Sequence, residues 1–70
     1  MTSATLAWVL ERLAKGERVA LASVVEAKGS VPGKPGALLA MSNIGGRHGT
    51  VGGAGLELKV EKHLKKMLEN

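Results

Sequence analysis

Apolar residues recur along the chain with two different periods, and each period predicts a different kind of element. One helical stripe fills the segment between Ser3, a suitable N-cap, and Gly16, a suitable terminating residue. A second helical stripe runs from about Gly55 to Leu68. The first stripe consists of Leu6, Ala7, Val9, Leu10, Leu13 and Ala14, and the second of Leu56, Val60, Leu64, Met67 and Leu68.

Three apolar segments between these helices predict strands. Residues 18–28 are mostly apolar on both faces, which is typical of a central strand covered on each side. Residues 37–42 and 47–51 predict a second and a third strand, joined by a turn at 43–46. The sequence therefore predicts one α+β domain over residues 1–70, with two helices packed on a small three-stranded sheet, antiparallel or mixed, and glycine-rich loops at the ends of the hairpin.

Two large apolar residues fall outside the stripes and raise the question of partners. Trp8 lies on the opposite side of the first helix from the stripe, so it either lies flat under the stems of Arg12 and Lys15 or contacts another subunit. Leu58 is also off its stripe and is expected to face a partner. Because a chain of this length buries only about 60% of its unfolded surface, we expect a homo-oligomer.

Composition excludes several classes of protein. The chain has no cysteine, which removes disulfides, thiolate nucleophiles and thiolate metal sites. No apolar run approaches the roughly 18 residues of a membrane span, and the N-terminus lacks the pattern of a secretory signal. We therefore expect a cytoplasmic protein with no membrane partner.

The formal net charge of +4 is concentrated in the middle of the chain. No acidic residue lies between Glu26 and Glu57, whereas Lys28, Lys34 and Arg47 do. Nine of the ten glycines lie in the same interval, so the positive excess coincides with the glycine-rich part of the chain. The chain lacks interleaved aromatic residues and an arginine-rich stripe, which argues against nucleic-acid binding.

Two glycine-rich segments flank the predicted hairpin. The first motif segment is "GSVPGKPG" (29–36), and the second motif segment is "GTVGGAG" (49–55). If the strands between them pair, both segments come near one end of the sheet, and the second opens a helix whose first N–H groups are unpaired. Such an arrangement suits a phosphate or carboxylate, with Lys34 and Arg47 adding charge and Ser30, Thr50 and His48 adding hydrogen bonds.

A structural explanation of the same glycines stays open. Glycine is needed wherever φ is positive or two backbones approach closely. Glu57, in the first turn of the second helix, would then stabilise the helix end and occupy the place of an anion.

No set of residues predicts catalysis or a metal site. His48 and His63 are far apart in the sequence, and neither has an Asp or Cys nearby. A Ser-His-carboxylate arrangement of Ser30, His48 and Glu57 is formally possible, but the spacing does not favour it. We expect a protein that is not an enzyme.

The two motif segments together resemble the N-terminal domain of the XdhC/CoxI family, the xanthine dehydrogenase accessory factors. The resemblance rests on "GSVPGKPGA" followed by "GTVGGAGLE" and covers nearly the whole chain. It implies a chaperone-like accessory protein that binds the molybdenum cofactor (molybdopterin) and delivers it to a molybdenum hydroxylase. The cofactor-binding residues it implies are Gly29, Ser30, Pro32, Gly36, Gly49, Thr50, Gly52, Gly53 and Glu57, to which Lys34 and Arg47 add charge.

The sequence departs from the family pattern at several positions. Gly33 stands where the family usually has arginine, Ala54 where one variant has a third glycine, and Gly55 where another has cysteine. The Rossmann domain that usually follows is not within these residues. We therefore expect a stand-alone domain or a Rossmann domain on a separate chain, and the alternative function is an oligomerisation or protein-interaction module with no small-molecule ligand.

Overall fold

The computed structural model describes residues 3–24 and 36–69. They form helix α1 (Ala4–Ala14), strands β1 (Val19–Ser23), β2 (Leu38–Ser42) and β3 (Arg47–Gly49), and helix α2 (Ala54–Leu68). The strands make one antiparallel sheet in the order β1-β2-β3. The predicted α+β fold, with two helices and a three-stranded sheet, is confirmed. The first motif segment, apart from Gly36, lies outside the described residues.

Helix α1 begins and ends at the predicted residues. The Ser3 hydroxyl accepts a hydrogen bond from the Thr5 N–H at 3.2 Å. At the other end Gly16 has a φ of +84°, its N–H donates to the Leu13 carbonyl, and the N–H of Glu17 donates to the Arg12 carbonyl. These two bonds form a Schellman motif, which glycine at this position permits.

Strand β2, and not β1, is the centre of the sheet. The prediction of a central strand over 18–28 was wrong, because β1 lies at an edge. Ala20 on β1 is buried on the side of α2, but Leu21 on the opposite face is 42% exposed. Small and β-branched residues on both faces of β1 indicate a strand. They do not show that another element covers both of its faces.

The face of the sheet under α2 holds the apolar core. Leu39 and Met41 of β2 pack there with Val51 and Leu64, and all four are buried. The predicted apolar stripe of α2 supplies the helix side of this core. Leu64 belongs to the buried cluster, and most of the remaining stripe residues pack against it. Leu56, Val60 and Leu68 are partly buried against the cluster, whereas Met67 is exposed.

The face under α1 is packed differently. Helix α1 turns Thr5 and Trp8 toward the sheet, where the Trp8 ring stacks on the His48 ring with centroids 5.8 Å apart. The Arg12 guanidinium lies over the Trp8 ring, 5.8 Å from its centroid, while Lys15 pairs with Glu11. The interpretation that placed Trp8 under Arg12 and Lys15 is confirmed for Arg12 only, and neither interpretation predicted that the ring packs on His48 of the sheet.

The apolar stripe of α1 is left largely exposed, with Leu6, Leu10 and Leu13 at 40%, 65% and 50%. Glycines opposite the helix explain why the other side docks. A Cβ at Gly46 would lie 3.0 Å from the Trp8 ring, and one at Gly49 would lie 2.9 Å from the Thr5 hydroxyl. Hydrophobic periodicity does not report this close approach.

Candidate functional site

Gly36, the one described residue of the first motif segment, lies at the same end of the sheet as the second motif segment. The N–H of Gly36, the last residue of the first motif segment, donates to the Val24 carbonyl at 2.7 Å. The N–H of Thr50, in the second motif segment, donates to the Leu38 carbonyl at 3.0 Å. Strand β2 begins at Leu38, so its first residues lie next to Gly36 and to the second motif segment. Gly29, Ser30, Pro32 and Lys34 lie outside the described residues, and their binding role stays a prediction.

Gly49 is required by the backbone of the second motif segment. Its φ is +92°, and a Cβ there would lie 2.2 Å from the Leu38 carbonyl oxygen. Gly36 and Gly52 also have positive φ, at +86° and +91°. The conformation of the chain therefore accounts for these glycines whether or not a ligand binds.

Glu57 closes the second motif segment from the first turn of α2. Its Oε1 accepts a hydrogen bond from the Thr50 hydroxyl and another from the Val51 N–H at 3.2 Å. The Thr50 oxygen in turn accepts from the Gly52 N–H at 3.1 Å. The segment is thus tied to α2 by side-chain bonds, although the N-cap residue Gly53 has no side chain to cap the helix.

These contacts stabilise the ionised form of Glu57. The Thr50 hydrogen bond is the main cause that lowers the pKa of Glu57; desolvation opposes it, while the Val51 N–H and the charge of Arg47 add to the lowering. The carboxylate is therefore a fixed negative charge beside the helix N-terminus.

Arg47 is shared between two carboxylates of α2. One terminal guanidinium nitrogen lies 3.5 Å from Glu57 Oε1, and Nε lies 3.5 Å from Glu61 Oε1. The sequence prediction included Arg47 and Glu57 but missed Glu61. A signal was present, because Glu57 and Glu61 are four residues apart and so lie on one side of the helix.

The described part of the site does not by itself fit a phosphate group. The Thr50 hydroxyl and the Val51 N–H already donate to Glu57, and Arg47 is balanced by two acidic residues. This geometry agrees with the structural explanation, in which Glu57 occupies the place of an anion. The positive charge needed to bind a phosphate here would therefore have to come from other residues of the chain.

His48 takes part in packing on the other face of the sheet. Its Nδ1 lies 3.1 Å from the Thr5 hydroxyl, and its ring stacks on Trp8. Since α1 covers this face and Glu57 lies on α2, His48 and Glu57 are not brought together. Over residues 3–24 and 36–69, no group of three His, Asp or Glu side chains is placed to hold a metal ion.

An open cavity of about 220 Å³ lies at the far end of the sheet. Ser42 at the end of β2 and Lys65 and Leu68 near the end of α2 are among its lining residues. None of its lining residues belongs to the second motif segment. In the described part of the chain neither helix is long and apolar enough to cross a membrane.

Comparison with known proteins agrees with the motif resemblance. Residues 12–70 match the model of a family described as the XdhC and CoxI family. The match includes both motif segments, the last three residues of α1, and all the described elements that follow α1. No match was found among curated proteins or solved structures.

Proposed function

Because the chain belongs to the XdhC and CoxI family, we propose that it is a non-catalytic accessory domain in the maturation of molybdenum enzymes. The family relation supports this role, and the lack of cysteine is consistent with it, since any sulfur chemistry must then take place on a partner.

The proposed ligand is the molybdenum cofactor, whose pterin carries a phosphate. The observation that carries this proposal is that Gly36 and Thr50 are bound to neighbouring backbone at one end of the sheet. A ligand at that end would contact both motif segments at once. The cofactor supplies the redox chemistry of the client enzyme, and none of that chemistry is assigned to this chain.

The two segments have different proposed roles. Arg47 is already paired with Glu57 and Glu61, so we do not assign the charge that binds the phosphate to Arg47. Lys34 and Ser30 of the first motif segment would contact the phosphate, since Lys34 is the cation within that segment.

Equilibrium binding of molybdopterin to the purified chain tests this proposal. We expect micromolar affinity for the unmodified chain and at least about tenfold weaker binding for Lys34→Ala, because one charge-assisted contact is lost. Lys59→Ala, which changes an exposed lysine of α2, is the matched control and should bind normally. Affinity no tighter than millimolar, in the unmodified chain and in Lys34→Ala alike, would exclude the ligand.

A second candidate function is a protein-interaction module without a small-molecule ligand. It is favoured by Leu58 and Ile44, which are 68% and 69% exposed, and by the exposed leucines of α1. Its partners would be a molybdenum hydroxylase or a separate Rossmann-domain chain. Co-purification with either partner, lost in Leu58→Lys, is the expected result, and a chain that binds neither protein would rule this candidate out.

A further inference from the structure

We draw no further inference here: the strongest candidate, the exposed lysine face of α2 formed by Lys59, Lys62 and Lys66, carries no proposal because nothing in the structure shows what covers it.

Discussion

The face of the sheet that α2 covers is packed with Leu39, Met41 and Leu64, whereas the face that α1 covers is packed with Thr5, Trp8 and His48. On the α2 face the apolar stripe of the helix points inward, as hydrophobic periodicity predicts. On the α1 face the apolar stripe stays largely exposed, and a polar and aromatic side docks instead.

The comparison teaches that an apolar stripe shows where apolar surface lies, but not what covers it. The α2 face gains stability from burial, which is roughly proportional to area. The α1 face depends on shape, since Gly46 and Gly49 let Trp8 and Thr5 approach β3 closely.

The largest effect is expected on the α2 face. Leu64 is 2% exposed, so Leu64→Ala should lower the free energy of unfolding by about 2–5 kcal/mol, through lost burial and a cavity. Met67→Ala changes a half-exposed side chain of the same helix and should cost less than about 1 kcal/mol. Urea unfolding measures both variants, and equal costs would show that α2 does not pack as described.

A smaller effect is expected for Trp8, because it is only half-buried. Trp8→Ala should cost about 2–3 kcal/mol, less than full burial would give, whereas Trp8→Phe should keep part of the stack on His48. Leu10→Ala, on the exposed flank, is the control, measured by urea unfolding at concentrations where the chain is monomeric. A larger loss of stability for Leu10→Ala than for Trp8→Ala would show that α1 packs on the sheet through its apolar stripe, as α2 does.

Gly49 tests the backbone at the end of β3, which turns with positive φ close to β2. Gly49→Ala should cost about 1–3 kcal/mol, because alanine is strained at positive φ and its Cβ would meet the Leu38 carbonyl. Gly55→Ala meets nothing within 4 Å and lies in a helix, so it should be neutral or stabilising by about 0.5–1 kcal/mol. Thermal unfolding distinguishes the two, and a neutral Gly49→Ala would contradict the described turn.

The smallest effect is expected at Glu57 and depends on pH. Its pKa is lowered in the folded chain, so its contribution is present above the unfolded pKa and is lost as the pH falls through the folded pKa. Glu57→Gln should therefore be less stable than the unmodified chain at neutral pH, and the difference should shrink below about pH 4. Glu69→Gln, at an exposed residue after α2, should show no such change. A difference that does not vary with pH would mean that Glu57 makes no ionic contribution.

Local signals predicted the ends of the helices well, whereas the predicted ends of β1 at 28 and of β3 at 51 were wrong, since these strands end at Ser23 and Gly49. Ser3 and Gly16 bound α1 because a cap and a left-handed residue act within a few residues of chain. The stripe of α2 and the α+β order were predictable for the same reason. The central position of β1 and the orientation of α1 were not, because both depend on contacts between distant segments, such as Trp8 with His48.

The candidate site was predictable in part. The shared end of the sheet followed from strand pairing, and the closing role of Glu57 was one of two interpretations. The choice between an anion site and a helix end closed by Glu57 depends on the hydrogen bond from Thr50 and on the sharing of Arg47 with Glu61. These contacts depend on how the chain folds and cannot be read from residue spacing. The roles of Gly29, Ser30, Pro32 and Lys34 stay predictions.

Proton NMR contacts from the Trp8 ring test the central claim about α1 most directly. We predict nuclear Overhauser effects between the Trp8 and His48 rings, whose centroids lie 5.8 Å apart at an interplanar angle of 25°. The account would be contradicted by the absence of those effects together with contacts from the Leu10 methyl groups to Ala40, since these would show that the apolar stripe of α1 faces the sheet.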